Sequence, residues 1–376
     1  MRIGISCYPT LGGSGAVATE LGKALAHKGH EVHFIVADIP FRLGEFHQNI
    51  FIHEMDTVTY PVLRTPPHDF SLAALMADVI MERELDILHT HYALPFAVCG
   101  FLARQMLGDH HPVRHVTTLH GTDITVLAQD KSLMNVIRLG IEKSDVVTAV
   151  SRDLARQTSD LIQIDKPIMP IYNFVDTDQF RPVHRPLVRQ CFANPDEHLL
   201  LHISNFRRVK RLPDVLNVFD QVSRSVPARL MLVGEGPDLA LAHEMVRSLH
   251  IEDKVHFLGR QDEVAELFAC ADLLLLPSEK ESFGLVALEA MASGVPVIGS
   301  TAGGIPEVVA HGETGWLAPV GDVDGMAKYA ISLLQDNGLY RKFSENARAR
   351  AVSLFNVHDK VAEYEAVYES LLGNRK

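Results

Sequence analysis

The stretch "ADLLLLPSEKESFGLVALEA", residues 271–290, decides the fold. Four leucines closed by Pro277 read as a short strand buried on both faces, because an unbroken apolar run leaves no polar side for water. A polar loop then leads through a Ser-Phe-Gly turn into "LVALEAMA", a helix too apolar to lie on a surface. Strand, loop and helix in that order make half of a parallel βαβ unit. The stretch also carries Glu281 and Glu289, eight residues apart, one in the loop and one in the helix. The pair reads as catalytic acids, metal ligands, hydroxyl holders or ordinary solvated side chains. Glu289 argues against the last reading, since a carboxylate amid apolar residues needs partners.

The same alternation runs along the whole chain. Strands are expected at "RIGISC", "EVHFIV", "IFIHEM", "DILHTH", "HVTTLH" and "DVVTAV", and again at "HLLLHIS", "ARLMLVGEG", "KVHFLG", "ADLLLLP" and "VPVIGS". Helical stretches such as "GAVATELGKALAHKG" separate them. Between the two series, residues 167–186 carry four prolines and an Asn-Phe-Val-Asp turn, and read as a linker. A chain of 376 residues exceeds one ordinary core. The expected class is therefore α/β, with two doubly wound Rossmann-like domains facing across a cleft: residues 1–170 and 171–352. Periodicity does not assign the helix over about 353–376 to either domain, and it is expected to pack back on the first. In such folds ligands sit at the carboxyl ends of the strands.

Composition narrows the function. A net charge of −12 disfavours nucleic acid as a partner, because phosphate binding needs a basic face. The four cysteines are scattered with no CxxC pair, so neither a disulfide framework nor a zinc site is expected. Met1-Arg2 runs straight into "IGISCY" without a charged leader, and no apolar run reaches the roughly 18 residues of a membrane span. The expected location is cytoplasmic, with no stable membrane insertion; a homo-oligomer is compatible with the sequence.

Two motifs point to a diphosphate. "CYPTLGGSGAVATEL" follows the first strand, and Gly13, Ser14 and Gly15 open the next helix. Glycines there let backbone N–H groups approach a phosphate at the positive end of the helix. Gly13-x-Gly15-x-x-Ala18, with Asp38 after the second strand, also fits a nicotinamide-dehydrogenase fingerprint. Against that reading, Tyr8-Pro9-Thr10-Leu11 intervene where the fingerprint turns at once. The second motif, "SNFRRVKR" at 204–211, packs Arg207, Arg208, Lys210 and Arg211 into five positions of an acidic chain. Cations at a helix start are unfavourable unless an anion joins them. Lys210 and one arginine, Arg207 or Arg208, are expected on that anion.

The ordered set "GGSGAVATELGKALAHKGHEVHFI", "NFVDTDQF", "LMLVGEGPD", "VHFLGR", "ESFGLVALEAMASGVPVIGS" and "GGIPEVV" resembles the retaining family 4 glycosyltransferases of the GT-B fold. The resemblance covers nearly the whole chain. "CYPTLGGSG", "ADIPFRL", "HTHYALP", "TTLHGTDIT" and "SNFRRVKR" are similar to the bacillithiol-pathway branch of that family. It implies transfer of N-acetylglucosamine from UDP-GlcNAc to the hydroxyl of L-malate, with the α configuration retained, as the first step of that pathway. By the same resemblance Glu289 would hold the ribose, and Glu281 with Ser282, Phe283, Gly284 and Leu285 the sugar. Leu258, Gly259 and Arg260 would meet the uracil, and Gly13, Ser14 and Gly15 the diphosphate opposite Lys210 and Arg207. His120 would stabilise the transition state, while Ser14, Tyr92, Thr118 and Arg138 are candidates for the acceptor. Two departures stand out: Asn205 occupies the usual arginine position ahead of Lys210, and Phe174 that of a glycine. Another small acceptor, or binding without catalysis, would leave the same donor motifs.

No metal and no cofactor are expected. Asp176-Thr177-Asp178 spells D-x-D but lies in the linker turn, and reads as turn chemistry. "HTH" at 89–91 and "HH" at 110–111 lack a supporting ligand set.

Overall fold

Leu273–Leu276 forms a strand in which every residue is at most 2% exposed. Burying each leucine contributes roughly 1.5–3 kcal/mol, which suits a central position in a sheet covered on both faces. The computed structural model describes residues 1–9, 13–40, 43–44, 46–56, 67–183 and 185–373. They divide into two units: Met1–Asn173 together with the C-terminal segment from Val357, and Phe174–Asn356.

The first unit contains β1 (Arg2–Ser6), β2 (Glu31–Val36), β3 (Ile50–Glu54), β4 (Ile87–His91), β5 (Arg114–Leu119), β6 (Val146–Ala149) and β7 (Ile168–Pro170). Their spatial order is β3-β2-β1-β4-β5-β6-β7, and every pairing is parallel. The second unit contains β8 (His198–Ile203), β9 (Ala228–Val233), β10 (Val255–Phe257), β11 (Leu273–Leu276), β12 (Val297–Ser300) and β13 (Gly315–Ala318). Its order, β10-β9-β8-β11-β12-β13, is again all parallel. Both sheets are doubly wound, with their order reversing beside β1 and β8, where ligand sites of such sheets form.

The expected strands are all present, and two were not foreseen. β7 falls inside the proline-rich segment read as linker. It pairs only with β6, at the sheet edge, and ends at Pro170, where the missing N–H costs no ladder bond. β13 is only four residues long, too short for a period to register. The last helix, Val357–Gly373, packs on the first unit. Tyr364 and Tyr368 are buried there, and Glu365 binds Lys28 and, at 2.8 Å, His30.

Candidate active site

In the second unit, the loops after β8, β9, β11 and β12 interlock through their backbones. His202 at the end of β8 donates Nδ1–H to Leu275 O at 2.9 Å, so its Nε2 accepts from Ser204 Oγ, also at 2.9 Å. Burial holds His202 near pKa 4, which keeps it in that neutral form. Beyond it, residues 204–211 run over the glycines of "GEG". A Cβ at Gly234, φ +126°, would stand 1.8 Å from Ser204 O, so only glycine admits the loop. Asp238 N–H fastens Phe206 O at 2.9 Å, and Glu279 N–H fastens Val209 O at 2.8 Å.

Lys210 and Glu281, 71 residues apart in sequence, meet at 2.6 Å between Nζ and Oε2. Each side chain is about one-fifth exposed, so the pair is partly desolvated yet still reachable by a ligand. The main chain of Glu281 is held from below: Gly304 N–H donates to Glu281 O at 2.9 Å. A Cβ at Gly303 would lie 1.9 Å from that same oxygen, which explains the glycine pair of "GGIPEVV". Phe283 and Gly284 are buried, Gly284 has φ +100°, and the helix Leu285–Ala292 starts immediately after it. Glu289 lies in that helix at 6% exposure, as its apolar sequence context requires.

The other expected donor residues follow β8 and β10. Asn205, Arg207 and Arg208 are exposed, whereas Arg211 is bound to Asp214 at 2.5 Å. Leu258 and Gly259 are half-buried at the end of β10, with Leu258 N–H on Leu232 O at 2.9 Å. Arg260 is exposed and 3.5 Å from Asp262.

In the first unit the helix Gly13–His27 begins at Gly13, with Ser14 half-buried and Gly15 buried; residues 10–12 of the glycine loop and 41–42 of "ADIPFRL" lie outside the described residues. His120 follows β5 at 9% exposure and bonds through Nε2 to His91 Nδ1 at 2.8 Å. Burial pushes its pKa down to about 3, so it is neutral at ordinary pH. Tyr92 stacks at a tilt 5.3 Å from the His120 ring. Its backbone has φ +92°, an unfavourable region for an aromatic residue, held by Tyr92 N–H on Thr118 O at 2.9 Å. Buried Asp123 joins the two loops, accepting from Ala93 N–H at 3.0 Å and Gly121 N–H at 2.9 Å. Burial raises Asp123 to about 6, against the lowering effect of those N–H donors.

One acceptor expectation needs correction. Thr118 is fully buried, and its hydroxyl is taken by His89 Nε2 and Thr148 Oγ1, both at 2.7 Å, and by Tyr364. A hydroxyl has one donor and two acceptor positions, so none remains for a ligand. Arg138 spends its Nε and Nη2 on Ile162 O, at 3.2 and 2.8 Å, capping the helix Arg152–Ile162. The "HTH" histidines likewise have protein partners, His89 binding Tyr368 Oη at 2.7 Å. Among the described residues no group of three His, Cys, Asp or Glu could hold a metal ion. Asp176 Oδ1 accepts from the N–H groups of Asp178 and Gln179 at 2.8 and 3.2 Å, a closed turn.

Sequence reasoning missed His91 and Asp123. The available signal was the i, i+2 spacing of His89 and His91, which places two polar rings on one face of a buried strand.

Residues 11–179 match the family model "Glycosyltransferase Family 4", and residues 186–350 match "Glycosyl transferases group 1". The chain belongs to the family 4 glycosyltransferases, with the GT-B architecture of two Rossmann-like domains. Within that family it is 51% identical to the N-acetyl-alpha-D-glucosaminyl L-malate synthase of Bacillus anthracis, covering 100% of this chain and 98% of the relative. It is 31% identical to a D-inositol 3-phosphate glycosyltransferase of Mycobacterium avium, over 86% of this chain and 81% of that one. Its fold matches the sucrose-phosphate synthase of Thermosynechococcus elongatus with a TM-score of 0.83, at 23% identity and complete coverage of both chains.

Proposed function

We propose that this protein transfers N-acetylglucosamine from UDP-GlcNAc to the hydroxyl of L-malate, giving GlcNAc-α-malate and UDP. The observation that carries the proposal is the full-length identity of 51% to a malate-glycosylating relative, against 31% to an inositol-phosphate enzyme. The product would open bacillithiol biosynthesis, a cytoplasmic route using two small substrates. A nicotinamide-dependent reaction is not favoured, because both halves of the chain match glycosyltransferase models.

The donor groups belong to the second unit. Glu289 accepts the ribose hydroxyls, and residues 258–260 meet the uracil. Glu281 holds the sugar hydroxyls with the backbone of the Phe283-Gly284-Leu285 turn. The ion pair of Lys210 with Glu281 keeps the ammonium ordered before substrate arrives, so little reorganisation remains when the diphosphate binds. Arg207, exposed on the same loop, adds the second cation. The acceptor groups belong to the first unit: Ser14, Tyr92 and the remaining N–H groups of Arg138. The unfavourable φ of Tyr92 supports a role there, since strain persists where surrounding contacts hold a side chain for use.

As the bond from the anomeric carbon to the diphosphate oxygen breaks, positive charge grows on the sugar and negative charge on the β-phosphate. The malate oxygen bonds to the same face, and its proton passes to the departing β-phosphate oxygen. Lys210 and Arg207 stabilise the leaving charge, while neutral His120 offers its dipole to the sugar. Neither glutamate need act as acid or base, and no metal is required. Titration with UDP and NADH tests the class: UDP binds, and NADH does not compete. Tight NADH binding with no response to UDP would refute it.

A further inference from the structure

We propose that His91 is the positioning residue for His120: it donates its Nδ1–H to His120 Nε2 and so obliges His120 to carry its own hydrogen at Nδ1. The inference rests on the reading above that His120 serves the transfer.

The bond joins two ring nitrogens 2.8 Å apart, and both histidines are neutral because burial lowers their pKa values. A single hydrogen therefore lies between them, and only two arrangements exist. In one, His120 Nε2–H donates to His91 Nδ1. His91 then carries its hydrogen on Nε2, a fully buried atom with no hydrogen-bond partner among the described residues. In the other, His91 Nδ1–H donates, and its Nε2 is a bare lone pair at the same buried, unpartnered position. A buried N–H without an acceptor is the rarer and costlier orphan. The second arrangement follows, and it leaves His120 Nδ1–H as the group His120 can present to a ligand.

The surroundings hold His91 to this task. It sits in β4 at zero exposure, with the His89 ring 4.4 Å away and the His120 ring 5.1 Å away in a stack. His89 is fixed at both nitrogens, to Tyr368 Oη and Thr118 Oγ1, each at 2.7 Å. The C-terminal helix Val357–Gly373 thus supports the ring against which His91 packs.

Long-range ¹⁵N–¹H correlation spectra of the full chain, with His120 assigned through His120→Ala, test the tautomer directly. The expected result is a hydrogen on His120 Nδ1 and a bare Nε2; the reverse pattern would overturn the proposal. Two variants add the catalytic arm. His91→Asn places an amide N–H where Nδ1–H stood, and should keep the tautomer and turnover within about tenfold of the parent. His91→Asp, in its ionised form at alkaline pH, can only accept there; it should move the His120 hydrogen to Nε2 and lower kcat roughly hundredfold, with KM for UDP-GlcNAc unchanged. Equal turnover of the two variants would sink the proposal even if both fold. Unaltered turnover of His120→Ala would instead strike the role given to His120, a failure the spectrum of the parent protein keeps separate.

Discussion

Lowering the pH from 7.5 to 5.5 should loosen the first unit far more than the second. His89, His115 and His120 are buried in that unit, each pushed down to about 3 by desolvation. In the unfolded chain a histidine binds its proton below about 6.5. The unfolded state therefore holds more protons at pH 5.5, so stability present above 6.5 is lost as the pH falls towards 3. For each such histidine the loss between pH 7.5 and 5.5 is about 1.4 kcal/mol, or roughly 4 kcal/mol for the three. His91, His33 and His53 are lowered too and act in the same direction. Asp123, raised to about 6, opposes them: its protonated form is favoured by folding, so acid restores about 0.8 kcal/mol there. A net loss above 3 kcal/mol is a large share of the 5–15 kcal/mol typical of a domain. In the second unit the corresponding buried histidine is His202, at about 4, which costs about 1.4 kcal/mol over the same interval. Hydrogen exchange read peptide by peptide, corrected for intrinsic rates, separates the two units. Fluorescence of Trp316, the single tryptophan, reports the second unit independently. Equal protection at both pH values in β4 and β5, or equal losses in the two units, would refute the reasoning.

Further outcomes follow from the proposed donor site. Glu289→Ala should raise KM for UDP-GlcNAc by roughly ten- to a hundredfold, the scale of a hydrogen bond to a charged group, with a smaller effect on kcat. Lys210→Ala should do the opposite, lowering kcat by roughly a hundredfold or more; steady-state kinetics giving equal, negligible effects would dismantle the site assignment. Gly234→Ala forces a Cβ to 1.8 Å from Ser204 O at φ +126°, so thermal unfolding should show at least about 2 kcal/mol of lost stability and UDP affinity should fall. Exhaustive chelation should leave turnover unchanged; loss restored by magnesium or manganese would contradict the metal-free reaction.

The βα alternation was legible because each strand is an apolar run bounded by polar turns, and Glu289 announced its burial through its neighbours. β7 was hidden by prolines that an edge strand tolerates, and β13 by its shortness. The proposed donor residues stood out where glycines or clustered charges broke local expectation. The pairing of Lys210 with Glu281 did not, because it depends on which loops the sheet order brings together. Thr118 shows the converse: a polar residue at a strand end suggested a ligand, while the sheet supplied His89, Thr148 and Tyr364 instead. The buried histidines gave a spacing but no partners, since their contacts join strands about 30 residues apart and a helix near the chain's end.

In the proposed reaction Glu281 and Glu289 hold one donor rather than act as a proton-transfer pair. Release of UDP from UDP-GlcNAc, followed with L-malate against other hydroxy acids and D-inositol 3-phosphate, tests the central claim most directly. The account predicts release that depends on L-malate, with a product whose anomeric proton reports the α configuration. Release with inositol phosphate but not malate, or a β-linked product, would contradict it.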